Sequence, residues 1–163
     1  MAGTLSVQKI QGLASSATPT SVEVSNGHAL HVNTLKGTTT AGSITVQGEG
    51  TNTTNLQQGL CKSWISYRGT STVQIRDSLN VGSLTDNSTG DYKITFTTNM
   101  GNNLYPVTMA SDHDGGSHFS TACIDHDDPL PVATSQYVTN YLDQTNNMRD
   151  AVYCHEAVHG DLA

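Results

Sequence analysis

Short alternating runs dominate the first sixty residues. Leu5-Ser6-Val7, Val22-Glu23-Val24, Ala29-Leu30-His31-Val32 and Ile44-Thr45-Val46 place apolar side chains at every second position, the period of a strand with one covered face. Between the second and third runs, Ser25-Asn26-Gly27-His28 holds the Asn-Gly pair that supplies positive φ in a tight hairpin turn. Each run offers only two or three apolar groups. At ~25 cal/mol per Å² of apolar burial, that does not offset the ordering cost of roughly sixty residues. The segment is therefore expected to be stabilised by other copies of itself. Residues 33–59, rich in Thr, Asn and Gly, read as a polar extended linker or shaft.

From Leu60 the runs lengthen and gain aromatic residues. Trp64-Ile65-Ser66-Tyr67 and Thr72-Val73-Gln74-Ile75-Arg76 flank a turn at Arg68-Gly69-Thr70, and Val81 to Thr85 and Tyr92 to Thr98 flank a loop of turn formers from Asp86 to Asp91. In the last of these runs Tyr92, Ile94 and Phe96 share one face while Lys93, Thr95 and Thr97 share the other. Further strands are expected over Tyr105 to Ala110, Gln136 to Leu142 and Ala151 to Val158, with a Pro129-Leu130-Pro131 break and an Asn146-Asn147 turn between them. Regularly spaced short strands joined by hairpin-like turns predict an all-β chain. The expected organisation is an intertwined or shaft-like segment over 1–59 and a small antiparallel β-sandwich over 60–163.

Composition agrees with a β protein and charge then divides it. About two-fifths of the chain is Thr, Ser, Asn or Gly, and only 13% is charged, unlike a disordered acidic tail or a Leu/Ala/Glu/Lys helical protein. The net charge of -7 argues against a nucleic-acid binder, which grips phosphates with clustered Lys and Arg. That charge is concentrated: residues 1–109 carry five acids against six bases, whereas 110–163 carry nine acids against Arg149 alone, together with five of the seven His. No basic start followed by an apolar run opens the chain and no stretch approaches the ~20 apolar residues of a membrane span; neither classical export nor membrane insertion is expected. Cys61, Cys123 and Cys154 are odd in number and lack CxxC spacing, so they read as small buried or incidental thiols.

Three stretches carry a resemblance: Lys62-Ser63-Trp64-Ile65-Ser66-Tyr67, then Ile75-Arg76-Asp77-Ser78-Leu79-Asn80-Val81, then the run from Leu84-Thr85-Asp86-Asn87-Ser88-Thr89-Gly90 through Asp91-Tyr92-Lys93-Ile94-Thr95-Phe96 to Met100. Together they resemble a module of structural proteins of tailed bacteriophages, particularly marine podoviruses, found in tail-fibre-like and other virion-surface proteins. The likeness is strongest over residues 60–110 and extends weakly to Gly160. It implies a homotrimer presented on the virion surface, made in the host cytoplasm and attached to capsid or tail proteins. It implies no enzyme activity and carries no catalytic residues. The acidic, His-rich stretch 111–128 and the His-containing last strand are not part of the resemblance.

Two stretches could carry chemistry. His155-Glu156-Ala157-Val158-His159 fits HExxH, in which a helix sets two His on one metal with Glu as general base. Here the lead-in Ala151-Val152-Tyr153-Cys154 is strand-like and only Gly160-Asp161-Leu162-Ala163 follow. On a strand the two imidazoles would lie about 13 Å apart at ~3.3 Å per residue. A closing strand is the expectation, leaving His155 and His159 as weak metal candidates that would need symmetry copies around a trimer axis. The second stretch is Ser111-Asp112-His113-Asp114-Gly115-Gly116-Ser117-His118 with Asp125-His126-Asp127-Asp128. It reads first as a solvated loop and second as a divalent-cation site, with no other cofactor implied. Its candidates are Asp112, Asp114, His118, Asp125, Asp127 and Asp128 for binding, with His113 and His126 as metal ligands. Tyr105 or Phe119 beside that loop could meet sugar hydroxyls. Trp64 and Tyr67 could form a stacking platform, although at least one of them is expected in the core.

The leading expectation is a non-enzymatic virion structural protein, either a trimeric short fibre or a capsid decoration protein. The alternatives are a cation-dependent module of the tail that binds a host-surface glycan or receptor and, behind it, a zinc hydrolase using His155, Glu156 and His159.

Overall fold

The computed structural model describes residues 26, 29–37, 44–47, 50–112, 121–125 and 127–163. The described structure is almost entirely antiparallel β. Its elements are β1 (Thr45–Gln47), β2 (Thr53–Asn55), a single helical turn α1 (Leu56–Gly59), β3 (Cys61–Arg68), β4 (Gln74–Leu79), β5 (Val81–Ser88), β6 (Asp91–Phe96), β7 (Val107–Ser111), β8 (Thr121–Ile124), β9 (Val132–Ala133), β10 (Gln136–Leu142) and β11 (Cys154–His159). Among the described residues no helix is long and apolar enough to cross a membrane.

Gly37–Ala163 forms one compact unit. Within it, one sheet runs β4-β3-β11-β7 and a second runs β5-β6-β10-β8, with β9 also paired to β10; β1 and β2 make a separate small hairpin. The two large sheets pack on each other through alternate residues of their strands, as in a β-sandwich. From the first come Ile65, Tyr67, Cys154 and Val158; from the second come Tyr92, Ile94, Phe96, Tyr137 and Tyr141. Aromatic rings dominate this interior, with Tyr67 edge-on to Tyr92 at 5.2 Å and to Tyr141 at 6.3 Å, a favoured geometry for ring quadrupoles.

The alternation of Tyr92, Ile94 and Phe96 buries all three, and β10 occupies the span expected for it. The turn between β5 and β6 is tighter than the expected loop, because the strands continue to Ser88 and resume at Asp91. Gly90 makes this possible: its φ is +70°, and a Cβ there would lie 2.7 Å from both Arg149 N and Tyr141 O. The Asn146-Asn147 turn is organised by Asp143, whose Oδ1 accepts from Thr145 N, Thr145 Oγ1 and Asn147 N. Those hydrogen bonds hold its carboxyl well below the usual carboxylate range.

Two stretches differ from their sequence patterns. Thr121–Ile124, inside the acidic region, forms β8 and completes the second sheet by pairing with Thr139–Leu142; its short apolar pattern was hidden among the charges. Conversely, Ala29-Leu30-His31-Val32 alternates like a strand but forms none. The runs at 5–7 and 22–24 lie outside the described residues.

Candidate functional site

The HExxH sequence lies on β11, the third strand of the first sheet. Alternation splits the motif across the strand: Cys154, Glu156 and Val158 point into the sandwich and are buried, whereas His155, Ala157 and His159 take the opposite face. A metal held by His155 is therefore out of reach of Glu156, and His159 is four extended residues further along, about 13 Å at ~3.3 Å per residue. The register also slips between Val158 and His159, so that His159 pairs with Cys61. Both conditions of the helical motif, a shared metal and an adjacent base, are lost on a strand.

Glu156 instead occupies the middle of the core, 2% exposed. Its Oε1 accepts from Tyr141 Oη at 2.8 Å, Tyr67 Oη at 2.9 Å and Thr139 Oγ1 at 3.1 Å. Because Tyr67 lies on one sheet and Thr139 and Tyr141 on the other, the carboxyl ties the sheets together. Oε2 has no hydrogen-bond partner. Tyr137 Oη approaches closely enough to influence the carboxyl but meets no hydrogen-bond geometry with it. Desolvation raises the Glu156 pKa and outweighs the four hydroxyls, which act in the opposite direction. The neutral acid is the form suited to this interior, since an ionised carboxylate would leave a charged oxygen unserved. Burial likewise pushes the adjacent Cys154 thiol up to about 12, which makes it a structural thiol rather than a nucleophile.

Three of the described acidic candidates accept from backbone N–H groups. Asp112 Oδ1 accepts from Tyr153 N at 3.1 Å, fastening the end of β7 to the approach to β11. Asp125, buried, accepts from Asp127 N at 2.9 Å, and Asp128 accepts from Leu130 N at 2.7 Å; both are side-chain turns that shape the loop. Asp127 is exposed. The loop settles near Asp91, whose pKa is raised mainly by desolvation, with further contributions from Asp125, Asp128 and Asp86. Among the described residues no group of three or more His, Cys, Asp or Glu has metal-holding geometry. His113, Asp114, His118, Phe119 and His126 lie outside the described residues. Tyr105 is buried and its single hydroxyl proton is shared between Ala133 O and Gln136 O, both at 2.8 Å, so it presents no hydroxyl to a ligand.

The outer face of the first sheet carries a surface groove. The sheet register sets two rows across it: Leu79, Trp64, Ala157 and Thr108 in one, Asp77, Ser66, His155 and Ala110 in the next. Trp64 and His155 stand on one diagonal of this grid; small Ser66 and Ala157 occupy the other. The result is a groove of about 490 Å³ over Ala157, within the range of small-molecule sites. Tyr67 is in the core and Trp64 is the aromatic on the outside. One end of the groove is braced by a stack: the Arg76 guanidinium lies 4.1 Å from the Tyr153 ring centre, and Tyr153 stacks on His155 at 6.4 Å with 18° between planes. A bulge makes this possible, because Ser66 pairs with Asp77 but Tyr67 with Ile75. Arg76 is the extra residue, and the bulge turns it and Asp77 toward the same face.

Asp77, Ser66 and His155 share a row, which brings a Ser-His-Asp set into register. The order is wrong for acyl transfer. Ser66 is the middle member, leaving the carboxylate about 10 Å from the imidazole across two strand spacings of ~4.8 Å, whereas the imidazole of a triad must stand between the other two. As a polar rim the same row is well suited to hydrogen bonding. Sequence reasoning did not single out Ser66, Asp77 or Ala157, because only the register shows that they meet. Glu156 as a buried acceptor was missed as well; the signal that could have found it is the recurrence of tyrosines at inward strand positions, since buried phenols need partners. No family model matches the chain, and neither a curated protein nor a solved structure matches it.

Proposed function

We propose that the protein is a non-enzymatic structural component of a virion surface, assembled as a homotrimer and serving as a short fibre or capsid decoration, with the sandwich displayed and the N-terminal segment making the assembly contacts. One observation carries the reading: Leu30, Val32 and Leu35 are 64%, 54% and 58% exposed in the single chain. Large apolar groups this closely spaced and this exposed are what an interface between chains leaves on an isolated subunit. Val46 on β1 adds another, 51% exposed. The resemblance of residues 60–110 to phage surface modules supplies the setting, and the acidic, weakly basic surface suits a protein that contacts neither nucleic acid nor bilayer.

Sedimentation of the full chain tests the assembly. A species of three times the 17.3 kDa chain, persisting on dilution and dissociated by Leu30→Ser with Val32→Ser, is expected; a folded monomer at all concentrations would contradict it. Imaging of particles labelled through an antibody to the sandwich tests the setting. Copies at capsid three-fold positions mean decoration, a few sets around the tail mean a fibre, and unlabelled particles remove the virion from the reading.

A further inference from the structure

We infer that the groove on the outer face of the β4-β3-β11-β7 sheet is a carbohydrate subsite in which a neutral pyranose stacks on Trp64 and hydrogen-bonds to Asp77, Ser66 and His155. The inference goes beyond the assembly reading and does not depend on it.

The chemistry follows from what the groove presents. Trp64 is half-buried, its ring held at one side of a depression whose floor is the small side chain of Ala157. A pyranose has a face of C–H groups suited to an indole and a rim of hydroxyls that both donate and accept. One strand-row away the groove offers the matching set: Asp77, an acceptor when ionised, the hydroxyl of Ser66 and the imidazole of His155, while Thr108 adds a hydroxyl in the row of Trp64 itself. Adjacent members of the Asp77-Ser66-His155 row are separated by about 4.8 Å, so one ring can engage neighbouring members while its C–H face rests on Trp64. The stack of Arg76, Tyr153 and His155 holds the imidazole in place before any ligand arrives, which lowers the ordering cost of binding.

Other ligand classes fit less well. None of the groove's lining residues is Lys or Arg, the Arg76 guanidinium is applied to the Tyr153 ring, and Asp77 would repel phosphate, sulfate or sialic carboxylate. A purely apolar peptide would offer the Asp77 carboxylate nothing beyond the bond its Oδ1 already accepts from Ser78 N at 2.8 Å. The floor is open only because Ala157 stands beside Trp64, where a larger side chain would close the groove.

The test uses the assembled full-length protein. Labelled protein is applied to an array of neutral and acidic oligosaccharides, and galactose, N-acetylglucosamine, lactose and chitobiose are titrated calorimetrically and by emission of Trp64, the single tryptophan of the chain. Retention of neutral glycans and a saturable emission change with at least one of these sugars are expected. Trp64→Ala and Ala157→Leu should each weaken binding by about tenfold or more, Asp77→Asn less, and Trp64→Phe should restore part of the loss; unchanged far-ultraviolet circular dichroism would show that each variant is folded. Failure to retain any neutral glycan, or binding undiminished in both Trp64→Ala and Ala157→Leu, overturns the proposal. So does shielding of Trp64 from acrylamide that grows with protein concentration, which would assign the groove to a second copy of the chain. A monomer that binds sugar would keep this proposal and defeat the trimer; a trimer that ignores every sugar would do the reverse.

Discussion

The two faces of the β3–β11 pair use the same strands for opposite ends. Inward, Ile65, Tyr67, Cys154, Glu156 and Val158 are packed out of reach of water, with the polar atoms among them gathered on one carboxyl. Outward, Trp64, Ser66, His155 and Ala157 leave a depression because large and small side chains alternate across it. The inner face rewards completeness, since any missing atom leaves a void or an unserved oxygen; the outer face derives its use from what is missing. One pair of strands can therefore be rigid and receptive at once, with the cooperative interior fixing the spacing of the groups outside.

That contrast can be broken most severely from the inside. Tyr67→Ala removes a fully buried ring and one of the three donors to Glu156 Oε1, and should cost about 3–5 kcal/mol in chemical unfolding. A loss below about 1 kcal/mol would mean that the core closes over the gap.

Glu156→Gln sharpens the contrast through pH. The Glu156 pKa is raised in the folded protein above its ordinary 4.5, so its contribution is fully present below the unfolded pKa and is lost as pH rises through the folded one. The stability of the natural protein relative to Glu156→Gln should therefore fall as pH rises above the ordinary carboxyl value of 4.5, the reverse of a salt-bridged carboxylate. Asp143, whose pKa is lowered, acts in the opposite sense and is common to both proteins, so the difference between their denaturation midpoints isolates Glu156. A difference that grows in favour of the natural protein at high pH would refute the neutral acid.

Outward substitutions should scarcely register in the same assay. Trp64→Ala is expected to cost no more than about 1 kcal/mol and His155→Ala no more than about 0.5 kcal/mol, while the first weakens sugar binding, read calorimetrically, by about tenfold or more. A Trp64→Ala loss comparable to that of Tyr67→Ala would place Trp64 in the structural interior in energetic terms and erase the distinction between faces.

Much of the fold was legible where one face of a strand is apolar and the other is not. Tyr92, Ile94 and Phe96 alternate with Lys93, Thr95 and Thr97, so β6 could be read together with its buried side. β3 offered no such clue: Ile65 with Tyr67 and Trp64 with Ser66 are both plausible inward sets, and the choice depends on which neighbours each meets. β11 is harder still, because its buried set contains a glutamate and its exposed set an alanine. The groove lay beyond a linear reading, since Asp77, Ser66 and His155 become neighbours only through pairings between three strands. The strand-like pattern at Leu30 and Val32 marks the opposite case, where a legible period met no partner within the described chain.

The bulge at Arg76 has a consequence beyond the groove. β4 borders its sheet, and a regular border strand offers a template onto which a strand of another molecule can add, the first step toward fibrous aggregates. By interrupting the ladder beside two charged side chains, the bulge blunts that template where Ile75 and Leu79 would otherwise make it adhesive. The distortion that braces the imidazole also makes this border a poor template for strand addition, and so lowers the tendency of the sandwich to aggregate through it.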